Sequence, residues 1–485
     1  MLNLRSMLRK VIESTKAFVE TMPKKLRKEY GQFFTTETTA KFMAGLFEID
    51  LTAPSIRILD AGAGTGILSA ALIESILEKG YNGRIQLVCY ENDENVFPIL
   101  QSNLEYIREG NDIEYEIRRE NYLISQEEEE CYDYIIGNPP YKKIVKEAPE
   151  AVAMPHVCYG APNLYFLFFA KSVERLQKDQ ELVYIIPRSW TSGAYFSKFR
   201  EFLFSNCHIT HLHLFASRDK VFDGESVLQE TMIVKVKKNT CKPSTVCITS
   251  SSTSDFSDVC EFHAPYNVVV SNNNYVFLVT DKNEATTLNC LSHFDRTLST
   301  IKHPMRTGLI VDFRTREVLR NEPTNDTYPL LYSQHIKNGR IVFPVGKEDE
   351  YICTDRSGYL QENTNYLLVK RFTAKEEKRR LQCGIYLKSD HPEYSHISTQ
   401  NKVNFIKCDT PELAYGLYVL MNSTIYDKYY RILNGSTQVN STEINNMPVP
   451  DIATITEMGK LLMGNELSEQ NCNRIIEKWI KIKLV

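Results

Sequence analysis

The sequence predicts an α/β fold with a mixed, mostly parallel sheet in its first half, followed by a separate α+β domain. Short apolar segments alternate with helical segments from Ile56 to about Lys238. Several apolar segments end in glycine or an acidic residue, and a Ser/Thr-rich stretch follows Lys238. Such alternation is typical of βαβ units, which bind ligands at the carboxyl ends of their strands. We therefore divide the chain into an N-terminal helical segment (1–30), an α/β domain (31–240) and a second domain (241–485).

The α/β domain contains one predicted capped helix and four predicted strands. Thr35 or Thr36 is suited to cap a helix, and the apolar residues of that helix are Phe42, Met43 and Leu46. The predicted strands are IRILD (56–60), IQLVCYE (85–91), YDYIIG (132–137) and ELVYIIP (181–187).

The second domain is predicted to mix short strands and helices. The stretch 237–258 indicates a linker or exposed turns, because it is rich in Ser and Thr. The predicted strands are YNVVV (266–270), YVFLV (275–279) and NYLLVK (365–370), and the predicted helices lie in 414–430 and 474–482.

The composition is that of a globular protein of two or three domains. The 485 residues are 42% hydrophobic and 24% charged, which excludes wholesale disorder and a small disulfide scaffold. A net charge of −4 excludes a basic field over the whole molecule, so any nucleic-acid contact must come from a local patch. The 12 cysteines include no C-x-x-C pair and no apolar run spans a bilayer, so we expect a cytoplasmic protein with reduced thiols, no metal site and no membrane partner.

A glycine-rich loop, DAGAGTG, follows the first predicted strand directly. Its acidic residue, Asp60, would repel a pyrophosphate but suits an ammonium group, and Glu91 at the end of the next strand can accept hydrogen bonds from ribose hydroxyls. A ligand with an amino-acid head and a nucleoside tail is S-adenosylmethionine. A structural turn is the alternative, and a dinucleotide site is less favoured because the spacing is GxGxG rather than GxGxxG.

The loop Asn138-Pro139-Pro140-Tyr141 follows the third of these strands. Two prolines remove two N–H donors, which leaves the Asn138 side-chain carbonyl and the Pro139 backbone carbonyl as neighbouring acceptors. This pair suits a planar amino group, such as that of adenine, and stabilises the positive charge that develops when its nitrogen accepts a methyl group. Tyr141 supplies a ring on which a base extruded from a duplex can stack. A simple turn is the alternative.

These motifs, in this order, resemble those of the N6-adenine DNA methyltransferases of restriction–modification systems. The resemblance is to the gamma arrangement, with a TaqI-like catalytic half and a PstI/BsuBI-like recognition domain, and it covers roughly 28–238 most specifically. It implies a Rossmann-like class I methyltransferase domain, S-adenosylmethionine as cofactor, double-stranded DNA as partner and a target-recognition domain in the second half. A cognate restriction endonuclease would be a separate chain, and the oligomeric state stays open.

The resemblance also implies roles for individual residues. The methionine end of the cofactor would be held by Phe34, Thr35, Asp60, Ala61, Gly62 and Gly64, the ribose by Glu91 and the adenine by Asn92. Asn121 and Tyr122 stand where the family has an acid followed by an aromatic residue that hold this adenine. Phe222 matches the aromatic residue that sandwiches the flipped base against Tyr141.

In the second half, 367–381 and 434–450 resemble segments of the recognition domain. A basic cluster suited to phosphates consists of Lys370, Arg371, Lys375, Lys378, Arg379 and Arg380. The solvent face of a helix would explain the same charges. The amides of Gln438 and Asn440 are suited to read adenine edges, or alternatively to cap turns.

Two other classes of function remain open from the sequence. A methyltransferase acting on an RNA base or on a protein glutamine amide would use a similar Asn-Pro-Pro-aromatic loop. The large second domain argues against the protein-amide alternative. A non-catalytic binding module would need a damaged loop, and both loops are intact.

Overall fold

The computed structural model describes residues 7–21, 34–126, 131–215, 231–239, 241–253, 255–271, 273–374, 376–433 and 438–480. The chain divides into two units, Met1–Thr280 and Asp281–Val485. This division falls later than the predicted one at 240/241, because two strands after residue 240 belong to the sheet of the first unit. The predicted linker contains the first of these strands, Thr245–Ser251. Its alternate residues Val246 and Ile248 are buried, as expected for side chains on one face of a strand.

The first unit consists of one large sheet and the helices around it. Its strands are β1 (Ser55–Ala61), β2 (Arg84–Tyr90), β3 (Ile113–Arg118), β4 (Tyr132–Gly137), β5 (Leu176–Pro187), β6 (His208–Phe215), β7 (Thr231–Lys237), β8 (Thr245–Ser251) and β9 (Cys260–Pro265). Its helices are α1 (Met7–Thr21), α2 (Glu37–Gly45), α3 (Ile67–Glu78), α4 (Phe97–Arg108), α5 (Pro149–Ala153), α6 (Leu164–Arg175), α7 (Ser197–Asn206) and α8 (Tyr266–Val269).

Within the described residues the sheet has nine strands in the order β3-β2-β1-β4-β5-β7-β6-β8-β9. The strands from β3 to β5 are parallel, whereas β7 is antiparallel to both of its neighbours. This confirms the predicted mixed, mostly parallel sheet and its four predicted strands. The strand order reverses at β1, so a ligand crevice is expected at the carboxyl ends of β1, β2 and β4.

The N-terminal helix packs within the first unit and does not form a separate segment. Met7, Leu8, Val11 and Ile12 join the same hydrophobic core as helix α3. The Leu8 backbone N–H donates to the Glu74 carboxylate at 2.9 Å, and a hydroxyl–hydroxyl hydrogen bond of 2.7 Å joins Thr15 to Thr65 in the glycine-rich loop. Thr36, one of the two predicted caps, accepts from the Thr39 N–H at the start of α2.

The second unit contains two smaller sheets and a group of helices. The described strands form a six-stranded and a five-stranded sheet. The six-stranded sheet has the order β10 (Arg306–Thr307), β20 (Val403–Cys408), β17 (Asn365–Lys370), β18 (Cys383–Tyr386), β14 (Arg340–Ile341) and β13 (Ile336–Lys337). The five-stranded sheet has the order β11 (Leu319–Arg320), β15 (Tyr351–Ile352), β12 (Tyr328–Leu331), β19 (His396–Thr399) and β16 (Gln361–Glu362). The helices are α9 (Lys282–Leu291), α10 (Pro411–Asn422), α11 (Thr424–Leu433), α12 (Ser441–Asn445), α13 (Ile452–Leu462) and α14 (Glu469–Ile476).

The predictions for this half were partly correct. NYLLVK is strand β17, and the predicted helical stretch 414–430 lies in α10 and α11. The predicted helix 474–482 overlaps α14 only at 474–476, because 477–479 form a turn. YNVVV is wrong as a strand, since it begins with the short helix α8, and YVFLV contributes only an isolated bridge through Val276. In the part of the chain that the structure describes, no helix is long and apolar enough to cross a membrane.

Candidate active site

The glycine-rich loop turns the chain from β1 into α3 at the reversal point of the sheet. Gly62, Gly64 and Gly66 all have positive φ angles, of 79°, 55° and 85°, which glycine adopts without steric cost. The N–H groups of Gly62 and Ala63 both donate to the Tyr90 carbonyl at 2.9 Å. The loop is therefore tied to the end of the neighbouring strand β2.

Glu91, immediately after β2, lies at the centre of this arrangement. One carboxylate oxygen accepts from the N–H groups of Asn92 and Asp93 at 2.8 and 2.9 Å, and the other accepts from Gly64 N–H at 2.9 Å. Burial raises the pKa of Glu91, while these three backbone donors oppose the rise. A carboxylate has about four lone-pair sites, so one acceptor position remains beyond the three used here.

An open cleft with a cavity volume of about 100 Å³ lies beside Glu91. Its wall includes five predicted cofactor residues, namely Gly62, Glu91, Asn92, Asn121 and Tyr122, and also Pro140 of the predicted catalytic loop. The structure thus brings the glycine-rich loop, the acidic strand end and the Asn-Pro-Pro-Tyr loop to one cleft. The other predicted cofactor residues are not in this wall; they are Phe34, Thr35, Asp60, Ala61 and Gly64.

Asp60 is fully buried behind the glycine-rich loop. One carboxylate oxygen accepts from the Ser69 hydroxyl at 2.7 Å, and the other has no hydrogen-bond partner among the described residues. Burial raises the pKa of Asp60 to about 7. A buried acceptor without a donor is costly, so this oxygen fits a cationic group placed next to the loop.

Asn138 and Tyr141 are half-buried and contact each other. The Tyr141 hydroxyl lies 2.9 Å from the Asn138 side-chain oxygen and 3.1 Å from the Ile185 carbonyl. The Asn138 amide nitrogen donates to the Thr35 hydroxyl at 3.3 Å, which fixes the orientation of the amide. Burial raises the pKa of Tyr141 well above its usual range, so its hydroxyl stays protonated. Phe222, the predicted second stacking ring, lies outside the described residues.

Glu150 is a cleft residue that the sequence reasoning missed. It lies in α5, and its carboxylate accepts from the Asn121 amide nitrogen at 2.8 Å. Both side chains are in the cleft wall, together with the rings of Tyr122 and Phe168. An acid therefore stands beside the position where the sequence has Asn121. Glu150 is the second residue of α5 and follows Asn138 by twelve positions. No sequence motif marks it as a cleft residue.

The predicted DNA-contact residues of the second unit have different surroundings. The side-chain oxygen of Gln438 faces the Arg371 guanidinium and accepts a hydrogen bond from Arg371 Nε at 2.8 Å. Lys370 ends β17 and donates to Gln382 at 2.8 Å. Asn440 precedes α12, where its amide nitrogen donates to Glu443 at 3.3 Å. Lys375 lies outside the described residues.

The basic cluster is not the solvent face of a helix, because a strand and turns occupy this stretch. Two of its members point into the unit. Arg379 pairs with Glu469 at 2.8 Å, and Arg380 is buried with its guanidinium near the Tyr430 ring. These two arginines therefore do not belong to the predicted phosphate-contact surface.

One group of potential metal ligands occurs among the described residues. It consists of Cys247, Glu261 and His263 on the β8–β9 pair, and the last two are exposed. None of the three is in the wall of the cleft, so this group is not part of the site.

Comparison with known proteins assigns the family. Residues 69–222 match the family described as Eco57I restriction-modification methylase. Type II methyltransferase M.BsuBI of Bacillus subtilis is 33% identical over 463 residues, which cover 91% of this chain and 91% of the relative. The chain belongs to the Type II methyltransferases of restriction–modification systems. Type II methyltransferase M.PstI of Providencia stuartii is 31% identical over 491 residues, which cover 95% of each chain.

A solved structure supports the fold of this Type II methyltransferase. It is a nuclease-deletion mutant of the Type ISP restriction-modification enzyme LlaGI in complex with a DNA substrate mimic. The TM-score is 0.50 and the identity 14%, with 89% of this chain and 46% of that chain covered. The class I methyltransferase fold and the resemblance to PstI/BsuBI-like enzymes are thus confirmed.

This Type II methyltransferase is a DNA methyltransferase that uses S-adenosylmethionine. The residues present fit that cofactor, because the unpartnered oxygen of Asp60 suits an ammonium group and Glu91 has an acceptor site for a ribose hydroxyl. The aromatic side of the cleft suits a purine.

Proposed function

We propose that this protein methylates N6 of an adenine that is flipped out of duplex DNA at a specific sequence. The observation that carries the proposal is the position of Asn138. Its carbonyl oxygen is oriented by Thr35 and Tyr141 in a loop whose Pro140 lines the cofactor cleft. A target amino group bound at Asn138 would therefore lie close to the methyl donor.

The proposed chemistry depends on two acceptors and no strong base. The adenine amine is a weak nucleophile because its lone pair is delocalised into the ring. Hydrogen bonds to Asn138 Oδ1 and to the Pro139 carbonyl favour a tetrahedral nitrogen and stabilise its positive charge. When bound, S-adenosylmethionine supplies the methyl carbon as its bond to sulfur breaks, and the amine loses a proton after transfer. An amide oxygen has two lone pairs, so the contact with Tyr141 does not exclude a second donor.

We assign the contacts of the residues in the cleft wall from their position, and the remaining cofactor contacts from the family resemblance. Glu91 accepts from the ribose, Asp60 faces the ammonium group through its unpartnered oxygen, and Asn92, Asn121 and Tyr122 surround the adenine. Phe34, Thr35, Ala61, Gly62 and Gly64 complete the methionine end. We assign Glu150 as the acidic acceptor for the amino group of the cofactor adenine, because Asn121 alone offers no carboxylate.

The alternative substrates are an RNA base and a protein glutamine amide. Incubation with labelled S-adenosylmethionine and either DNA, RNA or protein distinguishes the three, and label in N6-methyladenine of duplex DNA is the expected result. Label confined to RNA or protein would refute the proposal. A separate cognate endonuclease and action in the cytoplasm are part of the same proposal.

The ring and the hydroxyl of Tyr141 are separable. Loss of the ring in Tyr141→Ala should weaken catalysis by about 1–3 kcal/mol, the value of one base–aromatic stack. Tyr141→Phe keeps the ring and removes only the hydroxyl with its contacts to Asn138 and the Ile185 carbonyl, so we expect a smaller loss. Single-turnover methylation of a duplex measures both, and equal losses in the two variants would exclude stacking as the role of the ring. Phe222→Ala is predicted to behave like Tyr141→Ala.

Glu150 is predicted to strengthen cofactor binding. Glu150→Ala should weaken S-adenosylmethionine binding by about 10- to 160-fold, since hydrogen bonds to charged groups contribute about 1.5–3 kcal/mol. Glu150→Gln keeps one acceptor and should bind with intermediate affinity. Titration calorimetry measures the three proteins, and Glu147→Ala, an exposed acid two residues before α5, is the matched control. Wild-type affinity in Glu150→Ala would remove this residue from the site.

A further inference from the structure

Two exposed phenylalanines mark a surface of the second unit. Phe313 is 65% exposed and Phe372 is 51% exposed, and they are the large exposed aromatic side chains among the described residues of this unit. Exposed aromatic rings are suited to stack on nucleic-acid bases or to contact another protein. We call Phe313, Arg314, Arg371, Phe372 and Lys402 the aromatic–basic patch.

One turn of the chain connects the two phenylalanines. The turn at 400–402 joins β19 to β20, and its Asn401 N–H donates to the Ile310 carbonyl at 2.7 Å. On its other side, the Arg371 N–H donates to the Lys402 carbonyl at 2.9 Å, and the Arg371 side chain donates to the Asn401 carbonyl at 3.0 Å. The two segments that carry Phe313 and Phe372 are thus held against the same turn.

Each phenylalanine has an arginine at its ring. The guanidinium of Arg314 lies 5.3 Å from the centroid of the Phe313 ring, and that of Arg371 lies 5.7 Å from the Phe372 ring. Lys402 and Arg314 are exposed. The patch therefore combines rings, which stack on bases, with cations, which contact phosphates. This combination favours nucleic acid over an apolar protein partner.

Phe372 also lies next to a predicted base-reading residue. Its backbone forms an isolated bridge with Gln438, and the Val439 N–H donates to the Arg371 carbonyl at 2.7 Å. Among the described residues, Phe313 forms no backbone pairing with a residue predicted to read bases. Of the two rings, Phe372 is thus the one placed beside a residue suited to contact base edges.

We propose that Phe372 inserts into the base stack of the target duplex and stabilises the DNA from which the adenine has been flipped, while Phe313 and the cations of the patch contact the adjoining backbone. Flipping removes stacking and pairing at a cost of about a few kcal/mol. An apolar wedge between base steps offsets part of this cost. The inference rests on the proposed function, because it assigns to the second unit the DNA contact that flipping requires.

The test uses the full chain and a duplex that contains a methylated site, mapped by sequencing modified bases in DNA from cells that express the protein. We expect Phe372→Ala to weaken binding of this duplex about 5- to 160-fold, the fold-change that corresponds to one base stack. The salt dependence of binding should not change, whereas Arg371→Ala should reduce it. Leu461→Ala, an exposed apolar residue of α13, is the matched control and should bind like wild type.

A second duplex separates a wedge from a general contact. If the target adenine is already mispaired, flipping costs less, so the loss caused by Phe372→Ala should become smaller on that duplex. Equal losses on both duplexes, or wild-type binding by Phe372→Ala, would overturn the inference, including the case in which the patch binds another protein. Neither result affects the methylation assay with labelled cofactor, so failure of the wedge and failure of the proposed function are distinguishable.

Discussion

Asn138→Ala should reduce kcat for DNA methylation by about 10²- to 10³-fold or more, the loss that follows removal of one preorganised hydrogen-bonding group from a transition-state site. The variant removes the side-chain oxygen that we propose as the acceptor of the target amine, and also the amide that donates to Thr35. Affinity for S-adenosylmethionine should persist, because the wall of the cleft includes Pro140 but not Asn138. Single-turnover methylation and titration calorimetry measure the two quantities separately.

The control for this prediction is Asn82→Ala, which changes an exposed asparagine in the turn before β2. It should leave both quantities unchanged. Turnover by Asn138→Ala at the wild-type rate would refute the role assigned to the loop. Parallel loss of cofactor affinity and turnover would instead indicate that the substitution disturbs the cleft as a whole.

The first half of the fold was predictable because its signals are local. Strands such as Ile56–Asp60 are buried on both faces and therefore appear as apolar runs. The glycines are required by positive φ angles within one turn. Parallel strands present their ends at one edge of a sheet, so Glu91 and the Asn-Pro-Pro-Tyr loop could be expected at one cleft before any contact was known.

The remaining features depend on contacts between distant segments. Strand β8 is rich in Ser and Thr, and only pairing with β6 and β9 makes it part of the sheet. Glu150 reaches the cleft through the path of the chain after the Asn-Pro-Pro-Tyr loop, which no pattern specifies. Arg380 lies in a strongly basic stretch of the sequence, 370–380, yet its side chain is buried beside Tyr430. Charge in a sequence does not tell whether the folded chain leaves that charge on the surface.

Loss of the Glu91 carboxylate should weaken S-adenosylmethionine binding about 100-fold. Glu91→Ala removes the proposed ribose acceptor and also leaves the N–H groups of Gly64, Asn92 and Asp93 without their side-chain acceptor. Each hydrogen bond to a charged group contributes about 1.5–3 kcal/mol, so loss of the ribose contact together with loosening of the glycine-rich loop accounts for this magnitude. With saturating cofactor, kcat should fall much less, because Asn138 is unchanged.

Glu91→Gln separates the two effects of this carboxylate. It keeps an oxygen for part of the backbone network but loses the negative charge, so its affinity should lie between those of wild type and Glu91→Ala. Glu94→Ala, which changes an exposed acid three residues further on, is the matched control. Thermal denaturation without cofactor reports how far each substitution loosens the fold. If Glu91→Ala binds the cofactor as tightly as Glu94→Ala does, the carboxylate serves only to hold the loop, and the ribose must bind elsewhere in the cleft.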